Sequence, residues 1–233
     1  MTTTEQTFTA LGGQFITPVD ALTEKLRHIR AVVFDWDGVF NDGVKTEAGS
    51  SSFSEVDSMG TNLLRFGFWL HHGGQLPLMA VITGVTNALA DTLVGREHFH
   101  ACYSQAKHKI DVLHHLLEQH QLQPHEVAFF FDDALDLSVA EVAGVRVMVR
   151  RRANPLLIDY VVRHGLVDYV TGAESGQWAV REGCEVLLGL LGQFDTVMAE
   201  RLRYRPVYDQ YYGQRQAITP TYWTVGPDGP VQQ

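Results

Sequence analysis

Four apolar residues in a row, Ala31-Val32-Val33-Phe34, run directly into Asp35-Trp36-Asp37-Gly38-Val39. A continuous apolar run without polar alternation predicts a strand buried on both faces. Runs of the same kind recur at Leu78-Met79-Ala80-Val81-Ile82, at Val127-Ala128-Phe129-Phe130-Phe131 and at Val145-Arg146-Val147-Met148-Val149. Val167-Asp168-Tyr169-Val170 is a weaker candidate for an outer strand. Helical spacing lies between and around these runs. Asp20 or Thr23 offers an N-cap for a short helix with Leu22, Leu26 and Ile29 on one face. Ile110, Leu113 and Leu117 share another face, broadened by Val112 and Leu116. Leu135, Val139 and Val142 mark a third, and Val180, Val186, Leu187, Leu190 and Leu191 a fourth. Strands alternating with helices predict an α/β, Rossmann-like, mostly parallel sheet with helices on both faces. Ligands in such sheets sit beyond the carboxyl ends of the strands.

Residues 1–19 read as a loose arm and 20–193 as the α/β domain. A small β-hairpin is expected over about 43–54, and 194–233 form an aromatic extension with Tyr204, Tyr208, Tyr211, Tyr212, Tyr222 and Trp223. The 233 residues are 45% hydrophobic, enough for a full core, which excludes wholesale disorder. Eighteen Lys and Arg against 27 Asp and Glu leave a net charge of −9, which argues against a nucleic-acid partner. No apolar run approaches the roughly 20 residues that span a bilayer. The polar start, Met1 to Ala10, lacks the features of a signal peptide, and Cys102 and Cys184 form no disulfide framework. A cytoplasmic protein is expected.

The chemistry concentrates at strand ends. Asp35 and Asp37 lie two residues apart, so an extended chain would point them in similar directions. Asp132 and Asp133, with Asp136, follow the Val127–Phe131 run in the same way. Carboxylates gathered from two strand ends repel unless a cation lies between them, and hard oxygen ligands suit Mg²⁺. Thr83-Gly84 closes another strand with a hydroxyl and a residue that lets a ligand approach the backbone. Lys107 and Lys109 stand at the start of a helix, where the dipole disfavours a cation unless an anion is near. Taken singly, each has an ordinary explanation: Asp as helix cap, Thr-Gly as turn, Lys as solvated surface. The pairs His71-His72 and His114-His115 form no chelate, because neighbours on a helix point about 100° apart. Cys184 reads as a small core residue.

The ordered set Asp35-x-Asp37-Gly38-Val39, Thr83-Gly84, Lys109 and Asp132-Asp133-x-x-Asp136 resembles the haloacid dehalogenase (HAD) superfamily of phosphohydrolases. Asp42-Gly43, the hairpin in place of a cap domain, Asp57-x-Met59-Gly60 and Ala179-Val180-Arg181-Glu182-x-Cys184 look like its capless branch, which contains 3-deoxy-D-manno-octulosonate 8-phosphate phosphatase. The resemblance covers roughly residues 30–192. It implies an Mg²⁺-dependent phosphomonoesterase acting on a sugar phosphate or sugar-acid phosphate, with a role in lipopolysaccharide biosynthesis. Asp35 would attack phosphorus to form an aspartyl-phosphate. Asp37 would protonate the leaving oxygen and then take a proton from water. The metal would be held by Asp35, the Asp37 main-chain carbonyl and Asp132. Thr83, Gly84, Lys109 and Asp57 would bind phosphate or substrate, with Asp133 and Asp136 orienting them from behind. The resemblance also implies a homo-oligomer, a tetramer, with the tail packing over its own core or docking on a neighbouring subunit.

Two departures bear on substrate. Phe131 replaces the glycine that usually precedes the metal-binding Asp. Octulosonate phosphatases carry arginines where ungapped matching places Val56, Asn62, Val85 and Leu93. If each such guanidinium were worth about 1.5–3 kcal/mol, losing four would weaken a carboxylated substrate by several kcal/mol. Two non-enzymatic readings compete, a phospho-acceptor like a receiver domain and a degenerate scaffolding subunit. Asp37 opposes the first, and the intact Asp35, Asp37, Thr83, Lys109 and Asp132 set opposes the second.

Overall fold

The strands, in chain order, are β1 (Gln14–Phe15), β2 (Ala31–Phe34), β3 (Leu78–Ile82), β4 (Ala101–Ser104), β5 (Val127–Phe131), β6 (Val145–Arg150), β7 (Tyr169–Glu174), β8 (Thr221–Gly226) and β9 (Gly229–Gln232). They form one sheet in the order β1-β7-β6-β5-β2-β3-β4-β8-β9. This computed structural model describes residues 2–45, 51–204 and 206–233. Only the two edge pairings, β1 with β7 and β8 with β9, are antiparallel. The helices are α1 (Thr3–Ala10), α2 (Val19–Leu26), α3 (Glu55–His71), α4 (Ala88–Glu97), α5 (Lys109–His120), α6 (Leu137–Ala140), α7 (Pro155–Arg163), α8 (Ala179–Leu190), α9 (Phe194–Arg203) and α10 (Pro206–Gln216).

Of the strands read as buried on both faces, β2, β3 and β5 are buried throughout, whereas Arg146 and Arg150 leave β6 half-buried at two positions. In β2, Val32 and Phe34 join a layer with Leu22 and Leu26 of α2, Leu64 of α3 and Leu187 of α8. Ala31 and Val33 face the opposite layer, built with Val112, Leu113 and Leu116 of α5 and Val161 of α7. The side-chain period of two along a strand therefore sends alternate residues into two helical layers. No helix among the described residues is long and apolar enough to cross a membrane.

Several local expectations are corrected. Within residues 1–19, Thr2 and Glu5 form a capping box that starts α1, and β1 pairs with β7, so this segment is not a loose arm. Neither Asp20 nor Thr23 caps α2, which begins after Pro18 without a side-chain cap. The outer strand starts at Tyr169. Asp168, just before it, is buried and accepts hydrogen bonds from Arg146, Lys25 and Thr17. The helix expected around Leu135, Val139 and Val142 shrinks to the four residues of α6, because a 3-10 turn over Ala134–Asp136 takes its first part. The turn of the expected hairpin, residues 46–50, lies outside the described residues, and its flanks 43–45 and 51–54 are not strands.

The aromatic extension packs on its own chain. Tyr211 of α10 lies 4.7 Å from Phe66 of α3, ring centre to ring centre, and its hydroxyl donates to the Asn62 carbonyl. Trp69 Nε1 donates to Gln214 Oε1 at 2.9 Å. Arg215 pairs with Glu97 at 2.8 Å, and β8 lies parallel to β4.

Candidate active site

Strand order reverses around β2. From it the sheet runs through β3 and β4 on one side and through β5, β6 and β7 on the other. Loops leaving neighbouring strands in opposite directions open a crevice at the carboxyl ends of β2 and β5. Asp35 and Asp132 are the first residues beyond those two strands. The Asp35 amide donates to the Phe130 carbonyl at 2.9 Å, so the β2–β5 ladder continues up to the carboxylate itself.

Asn41 shapes the next turn. Its Oδ1 accepts from the amides of Gly38 (3.3 Å) and Gly43 (2.9 Å), and its Nδ2 donates to the Trp36 carbonyl. Gly38 has φ +93°, and a Cβ there would lie 2.1 Å from Asp132 Oδ2. Only glycine fits, for both reasons. Trp36 is buried against Phe40 and Phe53, which turns Asp35 and Asp37 away from the core.

Asp35, Asp132 and Asp136 are buried and offer oxygens that all lie within 4.8 Å of one another. Lys109, the first residue of α5, is also buried. Its Nζ donates to Asp35 Oδ1, and to Asp136 Oδ1 at 2.6 Å. Burial works against the ammonium, but the Asp35 and Asp136 charges outweigh it and hold its pKa above the ordinary lysine value. Burial, followed by the Asp35 charge, pushes the Asp132 carboxyl up to about 9 and Asp136 up to about 7. Among the described residues neither oxygen of Asp132 has a well-aligned hydrogen bond; Asp35 crowds it and Arg151 Nε approaches Oδ2 to 2.8 Å out of line. Buried carboxylate oxygens rarely lack partners, and crowded, unsatisfied hard donors fit a divalent cation such as Mg²⁺.

A cleft of about 310 Å³ opens over this group, lined by Asp35, Asp37, Gly43, Gly84, Val85, Lys109, Asp132, Asp133, Leu135, Asp136 and Arg151. Asp37 reaches its rim, where Lys45 and Ser51 donate to its two carboxylate oxygens. Its side chain lies outside the carboxylate group, in keeping with an expected role through the main-chain carbonyl alone. Asp133 caps the turn after β5, and Asp136 does double duty: Oδ2 accepts from the Asp133 amide while Oδ1 takes Lys109. The Thr83 hydroxyl donates to the Val85 carbonyl (3.2 Å), while Gly84 borders the cleft with open space where a Cβ would stand. Phe131 ends β5 with its ring stacked on Phe129 in the core.

Two expected substrate-binding residues lie outside the cleft lining: Thr83, buried with its hydroxyl turned onto the Val85 carbonyl, and Asp57. Its Oδ1 accepts from the Arg181 amide (2.9 Å) in the first turn of α8, so it joins α3 to α8 and does not line the cleft. Burial pushes its carboxyl up to about 6, against the pull of Arg181. A raised carboxylate pKa means that folding opposes ionisation. That cost is absent below the unfolded value near 3.8 and complete above about 6. Asp57→Asn keeps an acceptor without the charge, and is expected to stabilise the fold by about 1–3 kcal/mol at pH 8. The gain should vanish at pH 4. Thermal melting at both pH values checks this, and an equal or lower melting temperature at pH 8 would contradict it.

The positions matched to family arginines scatter. Val85 lies at the cleft, Val56 is exposed on α3, Asn62 donates to Glu97, and Leu93 is wholly buried, so ungapped matching does not describe one surface here. His71, His72, His114 and His115 take no part in the acidic group, and both cysteines are buried and free. Sequence reading missed Asn41, whose spacing from Gly38 is a turn signal, and Arg151, hidden in the run Arg150-Arg151-Arg152.

No family model matches the chain. Individual proteins do. The 3-deoxy-D-manno-octulosonate 8-phosphate phosphatase KdsC of Escherichia coli K12 is 30% identical over 191 residues, covering 79% of this chain and 93% of the relative. The crystal structure of the Yersinia pestis 3-deoxy-D-manno-octulosonate 8-phosphate phosphatase superposes with a TM-score of 0.62 at 28% identity, covering 76% of this chain and 89% of that one. The Moraxella catarrhalis enzyme, in complex with magnesium, phosphate and 3-deoxy-D-manno-octulosonate, shares the fold at TM-score 0.63 and 24% identity over 77% of this chain and 97% of its own. Ordered motifs, a reversing parallel sheet with carboxylates at its central strand ends, and near full-length similarity to these enzymes lead to one assignment: the chain is a phosphatase and belongs to the 3-deoxy-D-manno-octulosonate 8-phosphate phosphatase family of the HAD superfamily.

Proposed function

We propose that this phosphatase is Mg²⁺-dependent and hydrolyses a sugar-acid phosphate, of the octulosonate 8-phosphate class, through an aspartyl-phosphate on Asp35. The observation that carries this reading is the buried cluster of Asp35, Asp132 and Asp136 around Lys109, with both Asp132 oxygens lacking well-aligned hydrogen bonds among the described residues. Asp35, Asp132 and the Asp37 carbonyl would hold the cation, whose role is to offset negative charge as two anions approach. Asp35 supplies the attacking oxygen. Lys109 orients Asp35 through a hydrogen bond, and offers its remaining donor capacity to a phosphoryl oxygen. Gly84 lets the phosphoryl group come close to backbone amides. Asp37, at the rim and hydrogen-bonded by Ser51 and Lys45, donates a proton to the departing sugar oxygen and later receives one from water. Asp136 and Asp133 hold Lys109 and the turn beneath it.

Phosphate release from 3-deoxy-D-manno-octulosonate 8-phosphate and from neutral sugar phosphates, with Mg²⁺ and with EDTA, tests this. Release that requires Mg²⁺ and favours the sugar acid is expected. Undiminished release in EDTA would remove the metal role, and indifference to the carboxylate would remove the substrate class.

A further inference from the structure

Three consecutive arginines close β6, and only one enters the cleft. Arg150 donates to the Thr171 carbonyl (2.8 Å) and Arg152 pairs with Glu174. Arg151 instead lines the cleft, with Nε 2.8 Å from Asp132 Oδ2. Gly38 makes room for the pair, since a Cβ there would lie 2.2 Å from Arg151 Nη2. The approach is close but out of line: among the described residues Arg151 Nε and both Asp132 oxygens lack a well-aligned hydrogen bond. Among the described residues Arg151 Nη2 reaches only the Asp42 carbonyl, at 3.5 Å. Arg151 therefore faces Asp132 without an aligned hydrogen bond and holds the Asp42 carbonyl only at long range, an arrangement readily exchanged for a better one.

The other cations at this cleft are committed. Lys109 lies between Asp35 and Asp136, and Lys45 holds Asp37. Of the positions matched to family arginines, Val85 alone borders the cleft, and it is apolar. Among the described residues lining the cleft, one guanidinium fork is left for a carboxylate. We propose that Arg151 is a carboxylate clamp released by the divalent cation: metal on Asp132 displaces the guanidinium, which then grips the acid group of the substrate. This rests on reading the site as a metal-dependent sugar-acid phosphatase. The clamp makes metal and carboxylate bind with positive linkage, and makes metal alone bind against a resident positive charge.

Calorimetric titration separates the two ideas without turnover. With Mg²⁺ alone, Arg151→Gln should bind the ion about tenfold more tightly than wild type. With 3-deoxy-D-manno-octulosonate as probe, saturating Mg²⁺ should tighten binding to wild type by about tenfold and to Arg151→Gln not at all. Arg151→Lys keeps the charge but not the fork. It should bind Mg²⁺ like wild type and still lose most of the sugar-acid affinity. Unchanged or weaker Mg²⁺ binding in Arg151→Gln, or metal-enhanced sugar-acid binding that survives the substitution, overturns the clamp while leaving the metal site standing. Failure of wild type to bind Mg²⁺ overturns the metal reading and the clamp together.

Discussion

Asp35→Asn is expected to abolish phosphate release, by on the order of 10⁴-fold or more, because the amide cannot attack phosphorus and no neighbour can replace it. Asp132 and Asp136 share the site, but Asp136 is turned onto Lys109 and its own turn, and Asp132 faces Arg151. Asp37 lies at the rim, held by Lys45 and Ser51. The fold should survive. The Asp35 amide bond to Phe130 is a backbone contact that the substitution keeps, and Lys109 retains its bond to Asp136. Folding is checked by thermal melting and turnover by steady-state phosphate release. Acid-quenched protein should carry substrate-derived phosphate in wild type and none in the variant. A variant that keeps even a hundredth of the wild-type rate would remove Asp35 from the role of nucleophile.

The parts of this fold that sequence made legible are those where burial is symmetrical. Strands β2, β3 and β5 are covered on both faces, so each reads as an unbroken apolar run, and the residue after each run stands at the carboxyl end where the cleft opens. Symmetrical burial also hides things. Helix α3 is wedged between α8, α9 and α10, and most of its residues from Asp57 to Trp69 are buried, Arg65 among them. No amphipathic stripe survives there, and Gly60 and Gly67 look like breakers although they admit Arg181 and Leu188 against the helix. Strands β8 and β9 fail for the opposite reason. They are half-exposed edge strands whose place depends on the distant partner β4. A motif match carries a residue type and no direction, so it does not reveal that the Asp57 oxygen points at the α8 backbone. Arg151 was overlooked because three arginines in a row look like a solvated charge run. Only the lack of a side chain at Gly38 lets the middle one reach Asp132.

Lys109→Met should damage stability and rate together. The ammonium donates to both Asp35 and Asp136, and all three groups are buried. Removing one member of a buried ionic cluster leaves the others uncompensated, a cost of about 3–5 kcal/mol in protein freed of divalent ions. The folded-state pKa of Lys109 is raised, so its stabilising contribution is complete below the unfolded lysine value and fades only as pH climbs past it. The loss in Lys109→Met should therefore be full at pH 7, with no recovery on moving to pH 8. Mg²⁺ should restore part of it, because a cation on Asp35 and Asp132 supplies positive charge where the ammonium stood, and the melting temperature of the variant should rise more with Mg²⁺ than that of wild type. Turnover should fall by about 10²–10³-fold even with Mg²⁺ saturating, since the donor aimed at the transferring phosphoryl group is gone. Arg at this position is no remedy, as a planar fork does not fit a pocket shaped for a compact ammonium. A Lys109→Met protein that melts like wild type at pH 7 without divalent ions would show that the ammonium's bonds to Asp35 and Asp136 do not hold this site together.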